Sequence, residues 1–358
     1  MKYFSMFSGI GGFERGIERA FCDKQSTQVK QDREGWNGNS DKTGRNVLPS
    51  SGSAAFCVGF SEIDRYATAI YQFHYPEHRA FGDAFKIDPG TLPDFDLLCG
   101  GFPCQAFSIA GKRGGFEDTR GTLFFEIARI VAVKRPAFLL LENVKGLLSH
   151  DNGRTFGTIH TTLSDLGYFL EWQVLNSKDF GVPQNRERVF IVGHLGGIGG
   201  GQVFPIQEIG GLSLSGGETY AIQQLNNPTH SNDRIYAEKG LSPALNTAQG
   251  GNRQPKIKRA PLRFLDRNQK NIEGDYAFTV DSSNTSGVSV DSRIRRLTPV
   301  ECERLQAFPD GWTKFGKFGD LVKEISDSQR YKCIGNSVTT SVIEAVIRKM
   351  INSQREEG

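Results

Sequence analysis

The 358-residue sequence predicts a doubly wound, mostly parallel α/β sheet that carries a smaller, β-rich second domain. Three observations predict it. Short apolar runs at Tyr3–Phe7, Ala54–Phe60, Phe95–Cys99, Phe138–Leu141 and Arg188–Val192 alternate with helical patterns. A glycine-dense stretch then breaks the rhythm, with ten glycines in the 25 residues from Gly193 to Gly217. The α/β rhythm resumes after about Arg293. The boundaries that follow are 1–193 for the α/β part, 194–293 for the second domain and 294–358 for a return to the first.

The elements follow in order. The first strand runs into Gly9, Gly11 and Gly12, then into a helical pattern on Phe13, Ile17, Ala20 and Phe21. Asp23–Ser53 is polar with almost no apolar periodicity and reads as a surface insertion at 23–53. Helical patterns at Asp64–Phe73, Thr122–Val133 and Arg154–Leu166 separate the later strands. Thr298, Pro299 and Glu301 form a capping box with proline at the first helical position, opening a helix through Glu303, Arg304, Leu305 and Phe308. A last helix after Asn336 and Ser337 carries Val338, Val342, Ala345, Val346 and Met350 on one face, expected to pack on the first domain.

With 37% apolar, 23% charged and 11% aromatic residues and a mean hydropathy of −0.39, the composition excludes a disordered tail, a fibrous repeat and a membrane bundle. No stretch approaches the ~18 apolar residues of a spanning helix. Glu14, Arg15, Glu18 and Arg19 interrupt the N-terminal apolar stretch before a secretory core could form. Six scattered cysteines include no CxxC pair and no zinc spacing, so free thiols in a cytoplasmic compartment, and no metal, are expected. The net charge of +3 is too mild to reveal a partner. Between Arg253 and Arg296, however, ten Lys and Arg stand against five Asp and Glu, a patch suited to a polyanion or to plain solvation.

Four constellations could carry chemistry. The turn Phe7-Ser8-Gly9-Ile10-Gly11-Gly12-Phe13 ends the first strand, where α/β sheets bind nucleotides; it has no phosphate-binding lysine. Glu62 at the next strand end can accept ribose hydroxyls and Asp83 adds a polar contact, so an adenosine-containing ligand without a bound pyrophosphate fits, S-adenosylmethionine foremost. Gly101-Phe102-Pro103-Cys104-Gln105-Ala106-Phe107-Ser108 follows a third strand end and sets Cys104 in a loop whose amides could stabilise a thiolate. Lys112 and Arg113 between glycines suit a lid over a polyanion. The apolar strand Leu139–Leu141 ends in Glu142-Asn143-Val144, and a strand-end carboxyl in a partly dry pocket can hold a proton. Gln184-Asn185-Arg186-Glu187-Arg188 enters the next strand with two arginines on one pleat face.

In this order the blocks resemble the C5-cytosine-specific DNA methyltransferase family of bacterial and phage restriction-modification systems. Arg296-Leu297-Thr298-Pro299 with Glu301, Arg304, Leu305 and Pro309, and then Gly335-Asn336-Ser337-Val338, resemble the family's last two motifs, and the likeness covers roughly 250 residues. The resemblance implies the S-adenosylmethionine-dependent methyltransferase fold with a β-rich target-recognition domain. It also implies transfer of a methyl group to C5 of a cytosine flipped out of double-stranded DNA. Cys104 would add to C6, Glu142 would bind the N3 and amine edge in its protonated form, and Arg188, supported by Arg186, would bind the O2 side. Cofactor contacts would come from Phe7, Gly9, Gly11, Gly12, Glu62, Ile63, Asp83, Ala84, Pro103, Leu123, Asn336 and Ser337. DNA contacts would come from Gln105, Ser108, Lys112 and Arg113 in the catalytic loop and from Arg234, Tyr236, Gly250 and Gly251 in the recognition region. A monomer that protects DNA from a cognate restriction endonuclease is the expected setting, with no membrane partner.

Two features depart from the pattern. Ser5 stands where many members carry an acidic residue, and the 23–53 insertion is unusual. The rivals are an RNA cytosine methyltransferase of the branch that acts on transfer RNA and an inactive DNA-binding relative; the large recognition region argues against the first and the intact Cys104, Glu142, Arg186 and Arg188 against the second. A thiol hydrolase lacks a histidine in any motif.

Overall fold

The computed structural model describes residues 1–22, 55–103, 123–196, 202–206, 222, 224–227, 234–237, 241–245, 256–258, 264–265, 271–272 and 294–355. The 23–53 insertion, Cys104, Gln105, Ser108, Lys112, Arg113, Gly250 and Gly251 lie outside them.

The first part alternates strands and helices as the apolar pattern predicts: β1 (Lys2–Met6), α1 (Gly12–Phe21), β2 (Phe56–Ser61), α2 (Arg65–His74), β3 (Leu97–Gly101), α3 (Leu123–Lys134), β4 (Phe138–Val144) and α4 (Arg154–Asp165). Then come β5 (Tyr168–Asn176), β6 (Gln184–Asn185) and β7 (Glu187–Leu195). The six long strands form one sheet in the order β2-β1-β3-β4-β7-β5. Successive residues on β1, β3 and β4 point to opposite faces. Phe4, Met6, Leu98, Leu139 and Leu141 pack with Phe124 and Ile127 of α3 and Ile159 and Leu163 of α4. Tyr3, Leu97, Cys99 and Leu140 pack with Phe13 and Ile17 of α1. The same face receives Val342 and Val346 of the last helix, α7 (Thr340–Arg355), as the apolar stripe predicts.

Strands β1 to β4 are mutually parallel, but β7 runs antiparallel to both β4 and β5. The reversal has a simple cause. Parallel neighbours need a crossover, usually a helix, whereas the segment between β5 and β7 holds only a short 3₁₀ turn at Ser177–Phe180 and β6. The strand β5 is not among the runs read from the sequence, because Glu171 and Gln173 interrupt its apolar residues. Their side chains bond the backbone of a chain segment lying along this sheet edge: Glu171 accepts from Val203 and Phe204 N–H, and Gln173 from Ile206 N–H at 2.8 Å. β7 continues to Leu195, past the expected edge at Gly193, with Gly193 set against Leu139.

Further strands are short: β8 (Ile235–Ala237), β9 (Ser242–Pro243), β10 (Lys256–Lys258), β11 (Phe264–Leu265), β12 (Asn271–Ile272) and β13 (Ile294–Arg296). β10 lies between β13 and β8, while β9 pairs with β6 and so attaches to the large sheet's end. The capping box at Thr298 is formed and starts α5 (Pro299–Leu305). It is followed by a hairpin, β14 (Phe315–Phe318) and β15 (Leu321–Glu324), and by α6 (Asp327–Asn336), neither read from the sequence. A third apolar cluster joins Phe60, Ile70 and Tyr71 to Leu297, Leu305 and Trp312, seating this part on β2 and α2.

The α1–α7 seam depends on a bare backbone. A side-chain carbon on Gly16 would lie 2.4 Å from Ile343 Cβ and 2.9 Å from the Thr340 carbonyl. Gly16→Ala is expected to lower unfolding free energy by about 1–3 kcal/mol, through overpacking, in a urea titration; an unchanged midpoint would show that the seam yields.

Candidate active site

Because β7 is reversed, its amino end reaches the sheet edge where β1, β3 and β4 end. The register places Met6 beside Gly100, Gly101 beside Glu142, and Val144 beside Arg188. Ligands of open α/β sheets bind outside such carboxyl ends.

The glycine turn sits at the end of β1 in an unusual backbone. Phe7, Gly9 and Gly11 have φ of 54°, 56° and 87°. Gly11 is the N-cap of α1 and lies against the rings of Tyr71 and Tyr75, so it needs both the left-handed conformation and the missing side chain. Phe7 holds the same conformation against its intrinsic preference, a strain common at ligand sites. Several bonds fix the turn. Glu62 Oε2 accepts from Gly9 N–H at 2.9 Å, Gly11 N–H donates to the Ser8 carbonyl, and Trp312 Nε1 donates to the Ile10 carbonyl at 2.9 Å. Glu62 Oε1 takes the amides of Ile63 and Asp64. Burial still raises the Glu62 pKa, against the pull of these amides.

Around the turn, Asp83 caps a short helical turn through Phe85 N–H with one oxygen at 3.1 Å, leaving Ala84 buried behind it. Ile63 and Phe85 are 74% and 50% exposed, apolar faces with nothing on them beside two carboxylates. Gly12 packs against Ser337 and Val338; Asn336 is exposed and Ser337 buried. Pro103 is exposed and Leu123 half-buried at the start of α3. These positions suit a ligand with a flat ring and hydroxyls.

Glu142 ends the apolar run of β4 and is 8% exposed. Its Oε1 lies 3.1 Å from Arg188 Nε, and its Oε2 faces Gly101, two residues before Pro103. Burial raises its pKa, while Arg188 and then Arg186 pull it back. Arg186 is a different kind of arginine. It is buried at 4% exposure, and its guanidinium donates to the carbonyls of Leu245, Gly335 and Ser337, the last at 2.7 Å. Arg188 is therefore the arginine that faces the carboxylate, and Arg186 ties three chain segments beneath it. Arg234 precedes β8 and Tyr236 lies within it, opposite Ile257 of β10, on the opposite side of β10 from the basic β13.

Three contributors had no role in the sequence reading. Asn143 is buried, donates from Nδ2 to the Phe102 carbonyl at 2.7 Å and accepts from Val144 N–H, so it anchors the entry to the Cys104 loop. Its place in the Glu142-Asn143-Val144 triplet was the available signal. Lys332 bonds Asp64 Oδ2 at 2.5 Å, next to Glu62. Trp312 reaches Ile10 across 302 positions, which no local pattern could announce.

A family model described as C-5 cytosine-specific DNA methylase matches residues 1–352. The chain belongs to that family. This methylase is 35% identical to the type II methyltransferase M.NlaX of Neisseria lactamica over 98% of the chain and 96% of that protein. It is 31% identical to the orphan methyltransferase M.SPRI of Bacillus phage SPR over 99% and 98%. Among solved structures, the DNMT2 of Spodoptera frugiperda and the Dnmt2 of S. pombe share the fold, with TM-scores of 0.61 and 0.60 at 16% and 17% identity over 98% of the chain and 99% and 98% of theirs. The methylase thus has the S-adenosylmethionine-dependent methyltransferase fold, with S-adenosyl-L-methionine as methyl donor and C5 of cytosine in DNA as acceptor. The match decides for DNA against the RNA branch and for an enzyme against an inactive binder. No described helix is long and apolar enough to cross a membrane.

Asn143→Ala frees the Phe102 carbonyl and lets the loop entry shift. Methyl transfer is expected to fall by about 10- to 100-fold, because a displacement of ~1 Å near a reacting centre has effects of that order. Rates within twofold of wild type would count against the anchoring role.

Proposed function

We propose that this methylase modifies one specific double-stranded sequence by covalent catalysis at the edge where Glu142 and Arg188 meet. The buried Glu142–Arg188 pair beside the entry to the Cys104 loop carries this reading. The Cys104 thiolate forms the sulfur–C6 bond of a flipped cytosine. Glu142, holding a proton because burial favours its neutral form, gives it to N3, so the ring electrons collect at C5 instead of as ring charge. Arg188 orients Glu142 and the O2 edge, and Arg186 fixes that arrangement from below. S-adenosyl-L-methionine supplies the methyl group to C5. A base, for which bound water is adequate, takes the C5 proton; the sulfur–C6 bond then breaks and the N3 proton is returned.

Glu62 and Asp83 present carboxylate oxygens to ribose hydroxyls and the adenine amine, Ile63 and Phe7 flank the ring, and Gly9, Gly11 and Gly12 let the backbone come close. Ala84, Pro103, Leu123, Asn336 and Ser337 complete that wall. Residues 194–293 serve target recognition, with phosphate contacts from the basic residues on β10 and β13 and further contacts from Arg234, Tyr236, Gly250 and Gly251. Lys256 stands opposite Arg296 in register, which sets two basic residues side by side on this small sheet. Gln105, Ser108, Lys112 and Arg113 close on the DNA from the catalytic loop. The type II names of relatives such as M.NlaX support a role as the modification partner of a restriction endonuclease; the chain would act as a cytoplasmic monomer.

Labelled methyl transfer to unmethylated genomic DNA, followed by sequencing of 5-methylcytosine, tests the reading. Cys104→Ser is expected to abolish transfer while retaining DNA; residual transfer at more than a few per cent would remove the covalent step. The alkaline limb of the pH–rate profile should report Glu142, since transfer falls as pH rises through its raised pKa. Arg188→Met removes an influence that lowers that pKa, so single-turnover rates should drop and the limb should move to higher pH. A limb unmoved, or moved to lower pH, would detach it from Glu142.

A further inference from the structure

Beneath the glycine turn lies a buried polar chain that the reaction does not use. Glu14, in the first turn of α1, has no exposed surface. Its Oε1 accepts the hydroxyl proton of Tyr71 at 3.0 Å, and Tyr71 Oη lies 2.9 Å from Nδ1 of His78. Tyr71 is fully buried and stacked on Phe60 at 3.8 Å, two residues before Glu62, while its ring edge also lies under Gly11. One aromatic ring therefore supports both walls of the cleft, the turn that ends β1 and the strand that delivers Glu62.

The hydrogen bonds have a direction. A tyrosine has one hydroxyl proton, and here Glu14 receives it, so His78 must donate to the hydroxyl oxygen. Burial lowers the His78 pKa to about 4, which favours the neutral ring. Burial likewise raises the Glu14 pKa to about 7, opposed by the Ser5 hydroxyl, its own amide and Tyr71. A carboxyl group held in a core against that desolvation, when a leucine would fill the space, needs a reason other than packing.

We propose that the Glu14–Tyr71–His78 chain positions the cofactor cleft, fixing the Gly9–Gly12 turn relative to the end of β2 and thereby setting affinity for S-adenosyl-L-methionine. With no exposed surface Glu14 cannot touch the cofactor; it acts through the turn. The proposal rests on the reading of Gly9, Gly11 and Glu62 as the cofactor site.

Tyr71→Phe keeps the stacked ring and removes only the hydroxyl, and Glu14→Gln keeps the shape and removes the charge. In each, the dissociation constant and KM for S-adenosyl-L-methionine are expected to rise about 5- to 20-fold, the scale of one lost buried hydrogen bond. kcat at saturating cofactor and DNA affinity without cofactor should stay within about twofold. The double variant should lose no more than the worse single one, because both break one chain. Folded variants with wild-type cofactor affinity, or with kcat and KM both impaired in proportion to lost stability, would overturn the proposal. If Tyr71→Phe does not fold, His78→Phe at the half-buried outer end decides by the same measurement, with an unchanged dissociation constant as the overturning result. Glu62→Gln separates the two levels: weakened cofactor binding there with none in Tyr71→Phe or Glu14→Gln sinks only the positioning chain, whereas unchanged binding in Glu62→Gln sinks the cofactor site itself.

Discussion

A carboxyl group at the end of a deeply buried strand is the constraint around which the active edge is arranged. Glu142 concludes a run of leucines that the sheet needs in its centre, so it is withdrawn from water whatever its protonation state. An isolated charge there would be intolerable, and a buried carboxyl must be neutral or be answered by a cation. The fold keeps both options open. Arg188 stands at 3.1 Å, close enough to answer the charged form, while desolvation favours the proton. Such a balance suits a group that must gain and lose a proton within one reaction cycle.

That requirement explains the one reversed strand. Had β7 been parallel to β4, its amino end, with Arg186 and Arg188, would lie at the far side of the sheet from Glu142. The reversal brings Arg188 to the carboxyl edge in register with Val144, with Arg186 just before it, and creates a second need, because Arg186 is itself buried. Three carbonyl groups from residues 245, 335 and 337 answer it. The return of the C-terminal segment to the catalytic part is thus tied to charge satisfaction as well as to the apolar face of α7.

Legibility in the sequence followed the range of the physics. The glycine turn, the strand-end Glu142, the Thr298 capping box and the α7 stripe each depend on neighbours within a few residues, and each is where the pattern put it, except that α7 starts at Thr340 and leaves Val338 just before it. The strand β5 did not show, because Glu171 and Gln173 serve as hydrogen-bond acceptors for a distant backbone and so spoil the apolar run. Arg186 and Arg188 looked alike on one pleat face, yet one faces a carboxylate and the other a cage of carbonyls contributed from 59 to 151 positions away. Trp312 and Lys332, which fasten the walls of the cofactor cleft, act across similar gaps. Cys104 was singled out by its setting after a strand end and Pro103 and given its role by resemblance, and the structure describes its approach only as far as Pro103.

Arg186 also joins two distant chain segments to the edge where Arg188 meets Glu142. Leu245 lies two residues after β9, which pairs with β6 just before β7, and Ser337 borders the glycine turn through Gly12. One guanidinium therefore takes acceptors from the segment that follows β9 and from the end of α6 beside Gly12. Its fork geometry is rigid, so withdrawing either carbonyl leaves a buried cation under-satisfied and favours a compensating shift in the other. Arg188, two residues along the chain and within β7, would carry such a shift directly to Glu142. The segment after β9, the end of α6 and the buried carboxyl of β4 are in this way tied together through two neighbouring arginines, with no large moving part required.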